Sequence, residues 1–132
     1  MITPEMVESL FRYLEKGNNG NFFKQVADNV SWTVMGTHPL AGTYHSKDDF
    51  IQHTFQRLNR ILREGVVLKV KNVLVQGETA VVEMESISTD LNGKPFNNTY
   101  CWIVRFEKDI IVEVRSYVDS ALVQKVLEEN EA

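Results

Sequence analysis

Hydrophobic positions recur with a helical period in the first half of the chain and alternate with polar positions in the second half. The helical period predicts a first helix that starts at Thr3 and Pro4 and ends at Gly17, with Met6, Val7, Leu10 and Leu14 on its buried stripe. It also predicts a short helix over 21–28 and a third helix from Ser46 or Lys47 to residue 63.

The alternating pattern predicts strands over 30–35, 66–76, 79–89, 98–107 and 110–119, followed by a short closing helix over 121–129. Helices followed by hairpin-connected strands indicate an α+β fold, in which helices pack on one face of an antiparallel sheet. Long strands twist strongly, so we expect a strongly curved sheet that forms a cone with the helices. An apolar pocket is expected at the mouth of this cone.

The stretch over 30–44 joins the first predicted strand to the third helix. This stretch contains Gly36, Pro39 and Gly42, which are typical turn residues, and is therefore predicted to form a turn. Because an ordered turn of this kind leaves one end of a sheet uncovered, we expect it to border the pocket.

Composition narrows the class of protein. The 132 residues are enough for one domain over 1–132, with 43% hydrophobic residues and a net charge of −4 that argues against nucleic acid as a partner. The N-terminus lacks a signal-peptide pattern and no apolar run reaches membrane-spanning length, so we expect a cytoplasmic protein with no membrane partner. The single cysteine and three dispersed histidines predict no metal site, and the lack of phosphate-binding glycine motifs predicts no nucleotide cofactor.

Two motifs, W-T-V-x-G-x-x-P-L-A-G-T-Y over 32–44 and I-V-E-V-R-S-Y-V-D over 111–119, resemble a known superfamily. It is the cone-shaped α+β superfamily of nuclear transport factor 2 (NTF2), ketosteroid isomerase and the SnoaL-type polyketide cyclases. The resemblance covers nearly the whole chain and implies an NTF2-like, cystatin-like α+β roll: a curved mixed or antiparallel sheet against three N-terminal helices. It also implies a homodimer formed through the outer sheet face. Because this fold hosts isomerases, cyclases, hydrolases and non-catalytic modules, it specifies a structure more than a reaction.

The resemblance to ketosteroid isomerases carries over at one residue only. Tyr13 matches the tyrosine that donates to the oxyanion, whereas Thr33 occupies the position of the catalytic base and the second donor falls near Trp102. Steroid isomerisation is therefore not expected. The limonene-type epoxide hydrolases are also a poor match, because Glu83 and Glu85 stand at their Arg-x-Asp pair and the arginine is missing.

Asp119 matches the last-strand aspartate that SnoaL-type cyclases are expected to use as an acid or base. In an apolar cone, desolvation would raise the pKa of this carboxyl toward the range useful for proton transfer. The alternative is structural, because an aspartate placed just before Ala121 is well suited to cap the closing helix.

Two other charged residues have the same ambiguity. If its strand face lines the cone, Glu85 lies near Asp119, and paired carboxylates divide acid and base roles. Otherwise Glu85 forms surface ion pairs with Lys69, Lys71 or Arg105. Arg115 could hold a substrate carboxylate or orient Asp119, or it could belong to an ordinary ion pair.

Aromatic residues and one histidine are the candidates for ligand contact: Tyr13, Trp32, His38, Tyr44, Tyr100 and Trp102. Aromatics at these spacings either line a pocket or fill the core. The sequence thus leaves two hypotheses. One is a cofactor-free isomerase, cyclase or hydrolase acting on a small apolar or carbonyl-containing molecule, with Asp119, Glu85 and Tyr13 as catalytic groups. The other is a non-catalytic module of the same fold that binds a ligand or a protein.

Overall fold

The computed structural model describes residues 1–131, which form five helices and eight strands. The helices are α1 (Pro4–Glu15), α2 (Asn19–Phe23), α3 (Lys47–His53), α4 (Phe55–Asn59) and α5 (Ser120–Asn130). The strands are β1 (Val26–Val34), β2 (Gly42–Tyr44), β3 (Leu68–Gln76), β4 (Thr79–Ser86), β5 (Ser88–Thr89), β6 (Pro95–Phe96), β7 (Thr99–Glu107) and β8 (Ile110–Val118).

Helix α1 begins where its capping residues predict. The Thr3 hydroxyl accepts a hydrogen bond from the Met6 backbone N–H at 3.2 Å, and Pro4 fits the first helical position. The fully buried residues of α1 are Val7, Phe11 and Leu14. The predicted stripe had left out Phe11, whose ring packs edge-to-face against the Phe22 ring with centroids 4.9 Å apart.

Helix α2 is shorter than the predicted helix over 21–28. It ends at Phe23, and Val26 already begins β1. The prediction was wrong there because Phe22, Phe23 and Val26 are all buried, a pattern that a helix turn followed by a strand also satisfies. β2 is likewise a strand within the segment predicted as a turn.

The third predicted helix is divided into α3 and α4 at Thr54. Ser46 caps α3 by accepting from the Asp49 N–H at 3.1 Å. At Thr54 the backbone leaves the helical region, with φ −125° and ψ −79°, and the hydroxyl donates to the Phe50 carbonyl at 2.6 Å. A threonine bonded back to the preceding turn bends a helix, and here the bend lets both segments bury apolar side chains.

The main sheet has the strand order β2-β1-β8-β7-β4-β3, and β1 runs parallel to β8 while the other pairs are antiparallel. Irregularities in register occur in three of the pairs, between β1 and β8, β3 and β4, and β7 and β8. Bulges of this kind bend strands and increase twist, so they curve the sheet around the helices. The predicted α+β fold with a curved mixed sheet is confirmed.

Alternation along the strands separates an inner from an outer sheet face. On β7 the inner face carries Trp102, Val104 and Phe106, all buried, and the outer face carries Arg105. An aromatic cluster fills the space between sheet and helices, where Trp32 stacks on Phe50 with centroids 3.8 Å apart. A strand residue therefore contacts this cluster only if its side chain lies on the inner sheet face.

Helix α5 closes one end of the molecule and is held at both of its ends. Asp119 caps its first turn, accepting from the Ala121 N–H at 3.0 Å and the Leu122 N–H at 3.4 Å. At the other end, Arg57 forms a two-point ion pair with Glu131, at 2.7 and 2.8 Å. No helix among residues 1–131 has the length and apolar character needed to cross a membrane.

Candidate functional site: an apolar cavity closed by the turn after β1

An apolar cavity of about 50 Å³ lies between the inner face of the sheet and helices α3, α4 and α5. Its volume exceeds that of a single water and is smaller than the roughly 150 Å³ of a cavity that admits benzene. Its lining comes from the end of β1, the following turn, both halves of the bent helix, three strands and α5. These residues are Val34, His38, Leu40, Phe50, Thr54, Phe55, Leu58, Val66, Leu68, Tyr100, Trp102, Ser116, Val118 and Val123.

The turn after β1 reaches the cavity because Gly36 lets the chain pass close to α5. Gly36 has φ +116°, a conformation that residues with a side chain rarely adopt. A Cβ atom at this position would lie 2.4 Å from the Ser120 hydroxyl and 3.1 Å from a carbon of the His38 ring. The glycine thus brings His38 under the start of α5.

His38 is the polar side chain of most interest in the lining. It is only 4% exposed, and its Nδ1 accepts a hydrogen bond from the Leu40 backbone N–H at 3.1 Å. Its Nε2 is buried and has no hydrogen-bond partner. Burial lowers the pKa of His38, because desolvation penalises the imidazolium, and an interaction with the Met35 backbone carbonyl opposes this lowering only in part.

The threonine and serine hydroxyls of the lining form hydrogen bonds within the protein. Thr54 donates to the Phe50 carbonyl. The Ser116 hydroxyl accepts from the Trp32 indole N–H at 3.2 Å and donates to the Thr33 carbonyl at 3.3 Å. Burial raises the pKa of Tyr100 far above its usual range, with the Ser86 hydroxyl opposing, so this phenol stays protonated.

Three of the predicted ligand contacts line the cavity: His38, Tyr100 and Trp102. Trp32 lies behind them as a fully buried core residue. Tyr44 supports the turn, since its hydroxyl donates to the Leu40 carbonyl at 2.7 Å. Some of the candidate aromatic residues therefore line the cavity, and others belong to the hydrophobic core.

The predicted acid and base groups lie outside the cavity. The Asp119 side chain is exposed and caps α5, and Glu85 pairs with Lys71 at 3.4 Å on the outer sheet face. Alternation explains both placements: Ser116 and Val118 of β8 point inward, so Asp119 points outward, and Glu85 stands between the buried Met84 and Ser86 of β4.

Two further predicted residues are also displaced from the cavity. Tyr13 is 39% exposed on α1 and borders a separate groove with Met6 and Leu10. Arg115 lies 3.7 Å from Glu113, an exposed ion pair. For Asp119, Glu85 and Arg115 the structure matches the cap and ion-pair alternatives, and a catalytic role for any of these residues stays a prediction.

Sequence reasoning missed several lining residues. Ser116 could have been found, because a small polar residue at an inward position between Val114 and Val118 is unusual in an apolar strand face. No feature of the sequence indicated Thr54 or Val123, because the position of Thr54 depends on the bend after α3 and that of Val123 on the docking of α5. Among residues 1–131 no group of three or more histidine, cysteine or acidic side chains could hold a metal ion.

Comparison with known proteins shows the family to which this chain belongs. The family model of the SnoaL-like domain matches residues 7–114. The dimerizing cyclase phiC of Fungal sp. (strain ATCC 74256) is 32% identical over 113 residues, and the dimerizing cyclase tstC of Talaromyces stipitatus is 31% identical over 114 residues. Each match covers 83% of this chain and 50% of the relative, so the chain spans about half the length of the curated relatives it matches.

A solved structure agrees with the fold. An NTF2-like protein from Burkholderia thailandensis E264 superposes with a TM-score of 0.79 at 25% identity, covering 96% of this chain and 98% of that one. The family model spans most of the chain, and the two cyclases each match 83% of it at more than 30% identity. The chain therefore belongs to the SnoaL-like domain family, within the NTF2-like fold.

Proposed function

We propose that this SnoaL-like domain takes a small, mostly apolar molecule into the cavity beneath the turn after β1 and acts as a cofactor-free enzyme of the isomerase or cyclase kind. The observation that carries the proposal is the lining itself, in which apolar side chains surround one buried histidine. Sites of this composition bind apolar ligands and orient them with few polar groups. The naming of two relatives as cyclases supports the reaction class.

The volume of the cavity sets a condition on binding. A molecule larger than a few atoms enters only if side chains at the cavity wall move, and Val123 is the lining residue contributed by α5. Because Val123 of α5 and His38 of the turn both line the cavity, we expect the ligand to enter between α5 and the turn that carries His38.

Methyl-resolved NMR tests the site. Titration with cyclopentanone is expected to shift the methyl resonances of Val118 and Leu58, which both line the cavity. Val123→Phe should abolish these shifts because the added ring fills the cavity, whereas Leu122→Phe on the exposed side of α5 should leave them unchanged. Shifts confined to the outer sheet face, or retained in Val123→Phe, would contradict the proposal.

A second candidate function is binding without turnover. The lining contains no aspartate, glutamate, lysine or arginine, so no carboxylate stands at the cavity to move a proton. Incubation of the protein with enolisable ketones and lactones in deuterated water separates the two functions. Protein-dependent deuterium exchange or product formation supports an enzyme, and saturable binding with neither supports a binding module.

We also propose that the chain forms a homodimer through the outer sheet face. Val81 and Ile103 pair directly across β4 and β7 on that face and are only half-buried. Around them lie the charged pairs Lys71–Glu85 and Arg105–Glu113. A small apolar centre with a polar rim is the usual anatomy of a protein interface. The cytoplasmic location remains a prediction from the sequence.

A further inference from the structure

We propose that His38 is a neutral hydrogen-bond donor that holds a carbonyl oxygen of the ligand, so that the cavity selects ketones over hydrocarbons of the same shape. This inference rests on the proposed function of the cavity as a ligand site. It assigns His38 to binding and orientation, and it removes this residue from consideration as the base.

The tautomer of His38 follows from its backbone contact. Nδ1 accepts the Leu40 N–H at 3.1 Å, and a nitrogen that accepts a hydrogen bond carries no proton. A neutral imidazole has one ring proton, which must then be on Nε2. The free edge of the ring therefore presents an N–H donor and has no lone pair with which to accept a proton.

This donor has no protein acceptor that meets hydrogen-bond distance and angle, and the Met35 backbone carbonyl influences the ring less than burial does. Among residues 1–131, two buried side-chain polar atoms lack a partner, Asn19 Oδ1 and His38 Nε2, and only His38 belongs to the cavity lining. A buried donor without an acceptor destabilises the empty protein. An oxygen brought in by a ligand would remove that penalty, whereas a methylene group in the same place would leave it.

The lining offers a ligand oxygen few other partners. Thr54 and Ser116 use their hydroxyls in hydrogen bonds to the protein, which leaves the His38 N–H and the Tyr100 hydroxyl as the donors of an otherwise apolar lining. Specificity for an acceptor therefore depends on these two donors, of which the His38 Nε2–H is the buried one without a hydrogen-bond partner. A site with one buried polar group discriminates well against a ligand that leaves it unpaired.

The position of the donor is fixed by a short chain of contacts. The Tyr44 hydroxyl donates to the Leu40 carbonyl at 2.7 Å, and the Leu40 N–H in turn donates to His38 Nδ1. The other edge of the ring lies beside Gly36, which itself passes close to Ser120 at the start of α5. Tyr44 is thus a positioning residue, which acts on the ligand through the turn and His38.

Nitrogen-15 NMR of histidine-labelled protein tests the tautomer without any ligand. At pH 7.5 we expect Nδ1 of His38 to show the shift of an unprotonated nitrogen and Nε2 that of a protonated one. His53 is exposed and serves as the internal comparison. Protonation at Nδ1, or a cationic ring at this pH, would overturn the inference.

A matched ligand pair tests the selectivity. Cyclopentanone and methylenecyclopentane have nearly the same shape, and we expect the ketone to bind at least about fivefold more tightly to the wild type, the size of one ordinary hydrogen bond. His38→Phe should reduce that ratio to about one. Equal binding of both ligands to the wild type would refute the role of His38 while leaving the cavity as a ligand site.

Infrared spectroscopy of the bound ketone gives a readout that does not depend on a variant. A hydrogen bond from Nε2 lowers the C=O stretching frequency relative to the ketone in hydrocarbon solvent. An unshifted band in the wild-type complex would refute the inference even if His38→Phe failed to fold. If neither ligand binds, the proposed function of the cavity fails, and the selectivity inference fails with it.

Discussion

His38 makes the stability of the protein depend on pH. Burial lowers its pKa in the folded state below the value of about 6.5 that it has in the unfolded chain. The folded state therefore binds fewer protons through this residue, and its contribution to stability is present above pH 6.5 and is lost as the pH falls through the folded pKa. Carboxylates with unperturbed pKa values titrate mainly at lower pH, at about 4.

We expect the free energy of unfolding to decrease between pH 7.5 and 5.5 in the wild type and to decrease less in His38→Gln. Urea unfolding at the two pH values measures the difference. His53→Gln is the matched control, because His53 is exposed and bonded to its own helix. An unchanged pH dependence in His38→Gln would mean that His38 titrates normally.

Ser116 satisfies two buried groups at once. Its hydroxyl accepts from the Trp32 indole and donates to the Thr33 carbonyl, so Ser116→Ala leaves the indole N–H without a partner. We expect the variant to lose about 1–3 kcal/mol of stability, the cost of an unsatisfied buried group. Chemical denaturation measures it, with the exposed Ser9→Ala as the control. A change no larger than that of the control would show that water replaces the hydroxyl.

At the scale of elements, substitutions at Asp119 distinguish a structural role of this carboxylate from a catalytic one. Asparagine caps a helix about as well as aspartate, whereas alanine cannot accept the Ala121 N–H. We expect Asp119→Ala to lose about 1 kcal/mol of stability and Asp119→Asn to lose little.

The same pair of variants tests the chemistry. Because the Asp119 side chain lies outside the cavity, we expect Asp119→Asn to bind cyclopentanone as the wild type does and to retain any turnover found. Loss of turnover in Asp119→Asn, at unchanged stability, would restore the acid or base role that the family resemblance implies. Rates measured at saturating ligand, beside thermal unfolding, distinguish these outcomes.

The break between α3 and α4 shows why element boundaries depend on more than periodicity. A continuous helix over 46–63 would satisfy the apolar spacing equally well. The bend at Thr54 instead brings Phe50 and Phe55 to the same aromatic cluster, with ring centroids 5.8 Å apart. At the bend the Phe50 carbonyl accepts both the hydroxyl and the backbone N–H of Thr54, so the bend is compatible with burial.

At the scale of the whole molecule, the outer sheet face predicts the oligomeric state. If this face forms the dimer, Ile103→Glu places a charge at its centre and should convert the dimer to a monomer without unfolding it, because Ile103 points away from the core. Light scattering at micromolar concentration measures the mass. Ile87→Glu, at an exposed site after β4, should stay dimeric. A wild type with the mass of one chain would contradict the proposed dimer.

The sequence by itself determined the class of fold and the main elements. Alternation over the four long strands, the caps at Thr3 and Ser46 and the turn residues are local features, and each depends only on neighbours along the chain. The motifs over 32–44 and 111–119 were enough to indicate the family. Even the two alternatives for Asp119 were visible, because a cap is also a local interaction.

Only the tertiary structure decided which sheet face lines the cavity and so which residues can meet a ligand. A shift of one position exchanges the two faces of a strand, and the register of β8 against β1, with its bulge, arises from pairing between strands far apart in the chain. That is why Asp119, Glu85 and Arg115 lie outside while Ser116 and Tyr100 face in. The burial of His38 likewise required α5 to dock against Gly36, a contact between residues more than eighty positions apart.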